Sequence, residues 1–238
     1  IILTGLLGFI LERTFLRPMV GEPVFSVAVL TIGIDILLRV VLDNWIGINP
    51  KYMGDPFPSY GNFGSLNIGG LTVKYLEVTA LITSLILIFI LSVFFKRSKY
   101  GVAMRATSLD QEAALAQGIN VGRVFGLVWF IAGLLAAFAG FFITGGFNTL
   151  TNTSFISALR ALPAVVIGGL DSITGAIIGS LIIGLTQAYV GYYQFDIESA
   201  YNIKLGNGFS IVAPYLIMFV ILLVKPHGLF GTEEVERV

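Results

Sequence analysis

The sequence lacks cysteine, and its one histidine is His227, so it offers neither disulfides nor clusters of thiolate and imidazole ligands for zinc or iron. Charged residues make up only 12% of 238 positions and sum to a net charge of zero, which argues against a nucleic-acid partner. The glycine-rich phosphate loop and the HExxH and GxSxG motifs are also missing. The chain therefore has no motif for hydrolysing nucleotide by itself or for hydrolase chemistry, and no cofactor of its own is predicted.

Apolar residues dominate instead, at 56% of the chain, and the mean hydropathy is +0.90. A soluble surface cannot cover that many apolar side chains, so the chain is predicted to be a polytopic membrane protein. The predicted fold class is all-α, a transmembrane helix bundle of about six spans plus a truncated N-terminal one. The truncated segment is Ile1–Leu11, and the other spans are predicted at 24–42, 74–96, 124–143, 158–168, 175–192 and 209–224.

Small residues recur at helical spacing in two of these spans. Gly175 and Gly179 form a GxxxG pair, which Gly184 extends, and either Asp171 or Ser172 is predicted to cap the helix that contains them. In the span 124–143, a row of Ala132, Ala136 and Gly140 lies beside a second row of Gly133 and Ala137. Such rows predict close packing between helices. The residues 43–72 and 194–207 are predicted to be polar loops.

The longest polar interruption is Ser98–Arg123. Within it, Ser108 and Gln111 have the spacing of a capping box, and Gly118 is able to take the left-handed position that ends a helix. These signals predict a helix of roughly nine residues, too short to span a bilayer. The segment is either an ordinary capped connector between two membrane helices or a surface for a partner.

Ionisable residues inside predicted spans are few. Asp35 and Arg39 lie one helical turn apart, either as a self-paired salt bridge or as a pair lining a translocation path. Arg160 and Pro163 fall in the short span 158–168, which proline breaks, and broken helices often line paths. These four residues are the candidates for a path.

Basic residues indicate the orientation. With 98–123 in the cytosol, strict alternation of the spans puts most basic residues and the C-terminus inside, as the positive-inside rule requires. The loops 43–72 and 194–207 then face outward. The residues concerned are Lys96, Arg97, Lys99, Arg105, Arg123 and Lys225.

A family resemblance begins at Glu112-Ala113-Ala114 and Gly118, which match the EAA loop of importer permeases of the ATP-binding cassette class. The runs KYGVAMRATSLDQEAALAQGINVGRV, PAVVIGGLDSITGAIIGSLIIG and ILLVKPHGLFG extend the match. Together they resemble the branched-chain amino acid permease family, closest to the first of its two related permease subunits. The resemblance runs from about Gly5 to Gly231. Val128–Ile131 departs from the usual Ile-x-Leu-Pro sequel of the motif, and the absence of the family's opening segments agrees with truncation.

The resemblance implies a transmembrane permease domain over 1–231 in a bacterial inner membrane, with a coupling loop at 98–123 and an acidic cytosolic tail at 232–238. It implies three kinds of partner besides the lipid bilayer: a second permease subunit, two cytosolic ATPases that bind the ATP, and an extracytoplasmic solute-binding protein. Glu112, Ala113, Ala114 and Gly118 carry over as coupling positions, and the charge and location of Arg105, Asp110 and Arg123 add them to the set.

Three alternatives remain open at this stage. An ion-coupled secondary carrier needs a proton or ion site, for which Asp35 is the main carboxylate available. A permease of the same family for urea or amides shares every motif above. A membrane scaffold that transports nothing is also compatible with the packing motifs.

Overall fold

The computed structural model describes residues 1–54, 65–68, 71–145, 149–151, 156–159, 161–204, 206 and 208–231. The protein is mainly helical, at 78%, so the predicted helical class is confirmed. Short strands are present as well, and the sequence did not indicate them. The chain forms two compact units, Ile1–Asn152 and Thr153–Val238.

The first unit contains six α-helices within the described residues. A π-helical turn, Glu12–Leu16, and a 3₁₀ turn, Arg17–Met19, separate the first two helices. The helices are α1 Ile2–Leu11, α2 Val24–Ile46, α3 Tyr75–Arg97, α4 Lys99–Leu109, α5 Gln111–Ala116 and α6 Val121–Thr144.

Four short strands form two antiparallel pairs in this unit. Strand β1, Lys51–Tyr52, pairs with β4, Thr149–Leu150, and β2, Ser65–Ile68, pairs with β3, Leu71–Lys74. Three of them fall within or beside the predicted loop 43–72, whose first residues prolong α2 instead. Residues 55–64 and 69–70 of that loop lie outside the described residues.

Helices α1 and α6 pack backbone to backbone through glycine. A Cβ added at Gly8 would overlap the carbonyl oxygen of Trp129, and one at Gly133 would overlap that of Thr4. Because membrane helices gain little from burying apolar surface, such close approach is what holds them together. Gly133 thus belongs to the contact, whereas the predicted row of Ala132, Ala136 and Gly140 is exposed in the described chain.

The second unit packs by the same device. Added Cβ atoms at Gly175 and Gly179 would overlap the carbonyl oxygens of Gly168 and Ala164, so the predicted GxxxG pair is confirmed. Within the part of the chain that the structure describes, Gly184 has no atom within 4 Å of its added Cβ and does not extend the contact. The helices are α7 Ile156–Leu159, α8 Leu162–Gly168, α9 Ile173–Tyr201 and α10 Phe209–Val224.

The core of the second unit lies between α8, α9 and α10. Ile167 is fully buried there beside Ala164 and Ile183. The chain after α10 returns to the end of α8, where the N–H groups of Leu229 and Phe230 donate to the carbonyls of Ile167 and Gly168 at 2.7 and 3.1 Å. These bonds satisfy carbonyl groups that a helix C-terminus leaves without intrahelical partners.

Four helices in the described chain are long and apolar enough to cross a membrane: α2 over Phe25–Ile46, α3, α6 and α9. Helix α10 is apolar but has 16 residues, about 24 Å. Helix α8 has only seven residues, and Pro163 lies in its first turn. The segment predicted at 158–168 is therefore divided between α7 and α8, and Pro163 begins a helix rather than kinking one.

The prediction of a loop at 194–207 is wrong for the first half of that segment. Helix α9 continues through it to Tyr201 and ends at Asn202, which has a φ of 50°. The buried side chain of Gln194 donates to the carbonyl of Gly206 at 2.6 Å and to Glu198 Oε1 at 3.0 Å. The polar residues that resembled a loop are thus the end of a long helix.

The N-terminal cap of α9 is Ser172, one of the two predicted caps, whose hydroxyl accepts from the Gly175 N–H at 3.0 Å.

Candidate functional site

Helix α5 begins at a cap that differs from the predicted one. Asp110 has an extended backbone, with a φ of −157°, and its Oδ1 accepts from the N–H of Ala113 at 2.9 Å. The hydroxyl of Ser108 instead donates to the carbonyl of Arg105, inside α4. The capping box is therefore wrong, because α4 extends to Leu109 and carries Ser108 within it. Helix α5 has six residues rather than about nine.

The other end of α5 agrees with prediction. Gly118 has a φ of 80°. Its N–H donates to the carbonyl of Leu115 at 2.9 Å, and the N–H of Ile119 donates to the carbonyl of Ala114 at 3.0 Å. These two bonds form a Schellman motif, which closes a helix and requires a left-handed residue at the position of Gly118. The helix is thus terminated on both sides within six residues.

The two faces of α5 differ in burial. Ala114 is 3% exposed and lies against the rest of the unit, whereas Glu112 and Ala113 are exposed and Leu115 is 56% exposed. An acidic and an apolar side chain on one short helix therefore face away from the chain.

Arg105 lies on α4, not on α5. Its guanidinium donates to the carbonyl of Phe95 near the end of α3. Helix α4 approaches α3 so closely that a Cβ at Gly101 would overlap the carbonyls of Phe94 and Phe95. Arg105 thus joins the helix that precedes α5 to the long helix α3.

Four residues, 117–120, separate the end of α5 from the start of α6. Asn120 caps it by accepting from the N–H of Arg123 at 3.0 Å. In its first turn, the carbonyl of Gly122 accepts from Nη2 of Arg17 at 2.8 Å. Arg17 is also paired with Glu12. Neither residue was among the predicted site residues, although an acidic residue at the end of an apolar run is a signal for Glu12.

The path candidates are distributed over both units of the chain. Asp35 and Arg39 form a bidentate ion pair on α2, with Nε–Oδ2 and Nη2–Oδ1 distances of 2.9 and 3.0 Å. Asp35 lies near the middle of the 22-residue span, and its side chain is 57% exposed. Pro163 is buried in the second unit. Arg160 lies outside the described residues.

Within the described residues, no group of three or more His, Asp or Glu side chains could hold a metal ion. Long apolar helices packed through glycine, together with one short polar helix that is closed at both ends, define an integral membrane protein with an exposed surface on α5. Comparisons with known proteins give the family.

Residues 1–224 match the family described as "Branched-chain amino acid transport system / permease component". The chain belongs to this family, whose members are transport components rather than enzymes. It is similar to the high-affinity branched-chain amino acid transport system permease protein LivH of Salmonella typhimurium, with 30% identity over all of this chain and 74% of LivH. It is 27% identical to the corresponding protein BraD of Pseudomonas aeruginosa, over the same shares of the two chains.

A more distant similarity reaches sugar transport. The ribose import permease protein RbsC of Bacillus subtilis is 34% identical over 71% of this chain and 52% of its own length. No solved structure matches the chain.

Proposed function

We propose that this chain is the membrane permease subunit of an ATP-binding cassette importer, and that it forms the translocation path for branched-chain or related amino acids. The observation that carries the proposal is α5: a six-residue helix, closed at both ends, with Glu112 and Leu115 exposed, in a member of the branched-chain permease family. A short rigid helix of this kind can transmit a rigid-body movement of an ATPase to the membrane helices.

The residues of α5 have separate roles in this proposal. Glu112 and Ala113 contact the ATPase, and Ala114 holds the helix against the chain. Asp110 and Gly118 set its two ends, while Arg105 attaches α4 to α3. The partners are a second permease subunit, two cytosolic ATPases that bind the ATP, an extracytoplasmic binding protein and the lipid of the cell membrane.

Asp35 and Arg39 are proposed to face the translocation path. A charged pair near the middle of a span and exposed on its own chain is costly against lipid, so water or protein must cover it. A carboxylate and a guanidinium side by side also complement the ammonium and carboxylate of a zwitterionic amino acid. Pro163 and Arg160 are proposed to line the path where the chain divides α7 from α8.

The experiment is uptake of labelled leucine into proteoliposomes that contain the permease, its second subunit, both ATPases and the binding protein. We expect ATP-dependent uptake by the wild type. Gly118→Pro should lower it at least about tenfold, because proline cannot adopt the positive φ and removes a bonded N–H. Gly118→Asn is the matched control and should retain uptake, since asparagine tolerates this conformation.

The other variants in this assay separate the remaining candidates. Glu112→Ala should impair uptake with the complex intact, and Asp35→Asn should impair it while Asp43→Asn, two turns further along α2, does not. Uptake of ribose in place of leucine would contradict the proposed substrate but would still support the proposed importer. Uptake in the absence of the ATPases would favour an ion-coupled carrier and contradict the proposal.

A further inference from the structure

Glu12 is a buried carboxylate at the junction of α1 and the π-helical turn. Its side chain is 1% exposed, and its Oε2 atom has no hydrogen-bond partner in the described part of the chain. Its Oε1 atom lies 3.4 Å from Nε of Arg17, which is long for a charge-assisted bond. Burying a carboxylate with such weak compensation works against stability, and π-helical turns are frequent at functional sites. Glu12 therefore calls for a functional explanation.

Arg17 connects this carboxylate to α6. While Nε faces Glu12, Nη2 donates to the carbonyl of Gly122 at 2.8 Å. Gly122 is in the first turn of α6, and only residues 117–120 separate that helix from α5. We call Glu12, Arg17 and Gly122 the Arg17 clamp. It links the end of α1 to the point where the chain leaves α5.

Two glycines one helical turn apart make room for the clamp. A Cβ at Gly122 would lie 3.2 Å from Cζ of Arg17, and one at Gly126 would lie 3.2 Å from Oε2 of Glu12 and 2.8 Å from the ring of Phe9. These distances are tighter than ordinary packing. A methyl group at either position would press on the ion pair without altering its charge.

A cavity of about 400 Å³ lies beside the clamp. Glu12 and Leu16 line it on one side, Phe125 contributes from α6, and Gln111, the first residue of α5, lines it as well. The cavity is partly open to the outside, and it gives the start of α5 room to shift against its neighbours.

We propose that Glu12 and Arg17 are positioning residues that couple the movement of α5 to α1. The inference rests on the proposed function, since it assumes that a partner ATPase displaces α5. A displacement of α5 moves the first turn of α6, and the bond from Arg17 to Gly122 transfers that movement to the π-helical turn and α1. Glycine contacts along α1 and α6 then carry the two helices together.

The test measures ATP hydrolysis and leucine uptake together in the reconstituted complex. Arg17→Gln should assemble with its ATPases yet hydrolyse at least about fivefold more ATP per leucine than the wild type, within the range of measured coupling energies. Arg17→Lys, which keeps the charge and a donor, should partly restore the ratio. Arg13→Gln is the matched control, because Arg13 is an exposed arginine of the same turn and should leave the ratio unchanged.

Gly122→Ala provides a second variant that displaces the guanidinium without removing it, and it should raise the ratio too. The inference is overturned if Arg17→Gln gives the wild-type ratio, whether the two rates are unchanged or fall in proportion. If Arg17→Gln fails to assemble, a wild-type ratio in Gly122→Ala overturns the inference. In either case wild-type uptake still supports the proposed function. Failure of the wild type to take up any solute with ATP would instead remove the proposed function.

Discussion

The residues that cap the two ends of α5, Asp110 and Gly118, differ in how well the sequence predicts their roles. The role of Gly118 follows from an intrinsic property, since glycine adopts positive φ without steric cost, and its φ of 80° confirms the prediction. The cap depends on where the preceding helix ends, and both Ser108 and Asp110 are residue types that cap helices. Ser108 lies inside α4 and not at the start of α5, because Gly101 and Arg105 hold α4 against α3. Local sequence does not reveal this tertiary contact.

Asp110→Ala should therefore loosen α5, and Ser108→Ala should not. Loss of an N-cap oxygen costs about 1 kcal/mol, so the amides of residues 113–116 should exchange hydrogen roughly fivefold faster. Hydrogen exchange followed by mass spectrometry on the purified permease checks this. Faster exchange in Ser108→Ala alone would return the cap to Ser108 and contradict the structure.

At the scale of elements, helix packing in this protein depends on glycine backbones, and spacing alone identifies only some of the glycines that matter. The pair Gly175 and Gly179 was predictable because both lie on one face of α9 at the spacing of a known motif. Gly184 belongs to the same helix but faces no neighbour among the described residues. The Arg17 clamp was not predictable as a unit, since Gly122 lies 105 residues beyond Arg17 in the chain.

The pair Gly179 and Gly184 offers a controlled test of this packing. Gly179→Ala places a methyl group on the carbonyl of Ala164 and should destabilise the second unit by about 1–3 kcal/mol, the usual cost of overpacking. Gly184→Ala has open space around it and should be neutral or slightly stabilising, because alanine favours helix. Thermal unfolding of the purified protein in detergent measures both. Equal melting temperatures for the two variants would contradict the close contact of α8 with α9.

For the molecule as a whole, apolar length predicted the membrane class well and the ends of the helices poorly. Helices α3 and α10 lie within about one residue of their predicted runs, because charged or glycine residues bound them on both sides. Helix α9 continues through polar residues to Tyr201, and Gln194 bonds its last turns to the following segment. Apolar composition therefore detects a candidate span but not how far its helix continues into polar sequence.

Orientation in the membrane is a property of the whole molecule, and the absence of native cysteine makes it directly measurable. The distribution of lysine and arginine predicts that α5 is cytosolic and that the segment after α2 faces outward. The variant Gln117→Cys places one exposed thiol directly after α5, on the predicted cytosolic side. The variant Asn49→Cys places one directly after α2, on the predicted outer side. A membrane-impermeant maleimide should label Asn49→Cys in intact spheroplasts, and it should label Gln117→Cys only after the membrane is opened. The reverse pattern would place α5 outside, where no cytosolic ATPase could reach it, and the proposed coupling role would fall with the orientation.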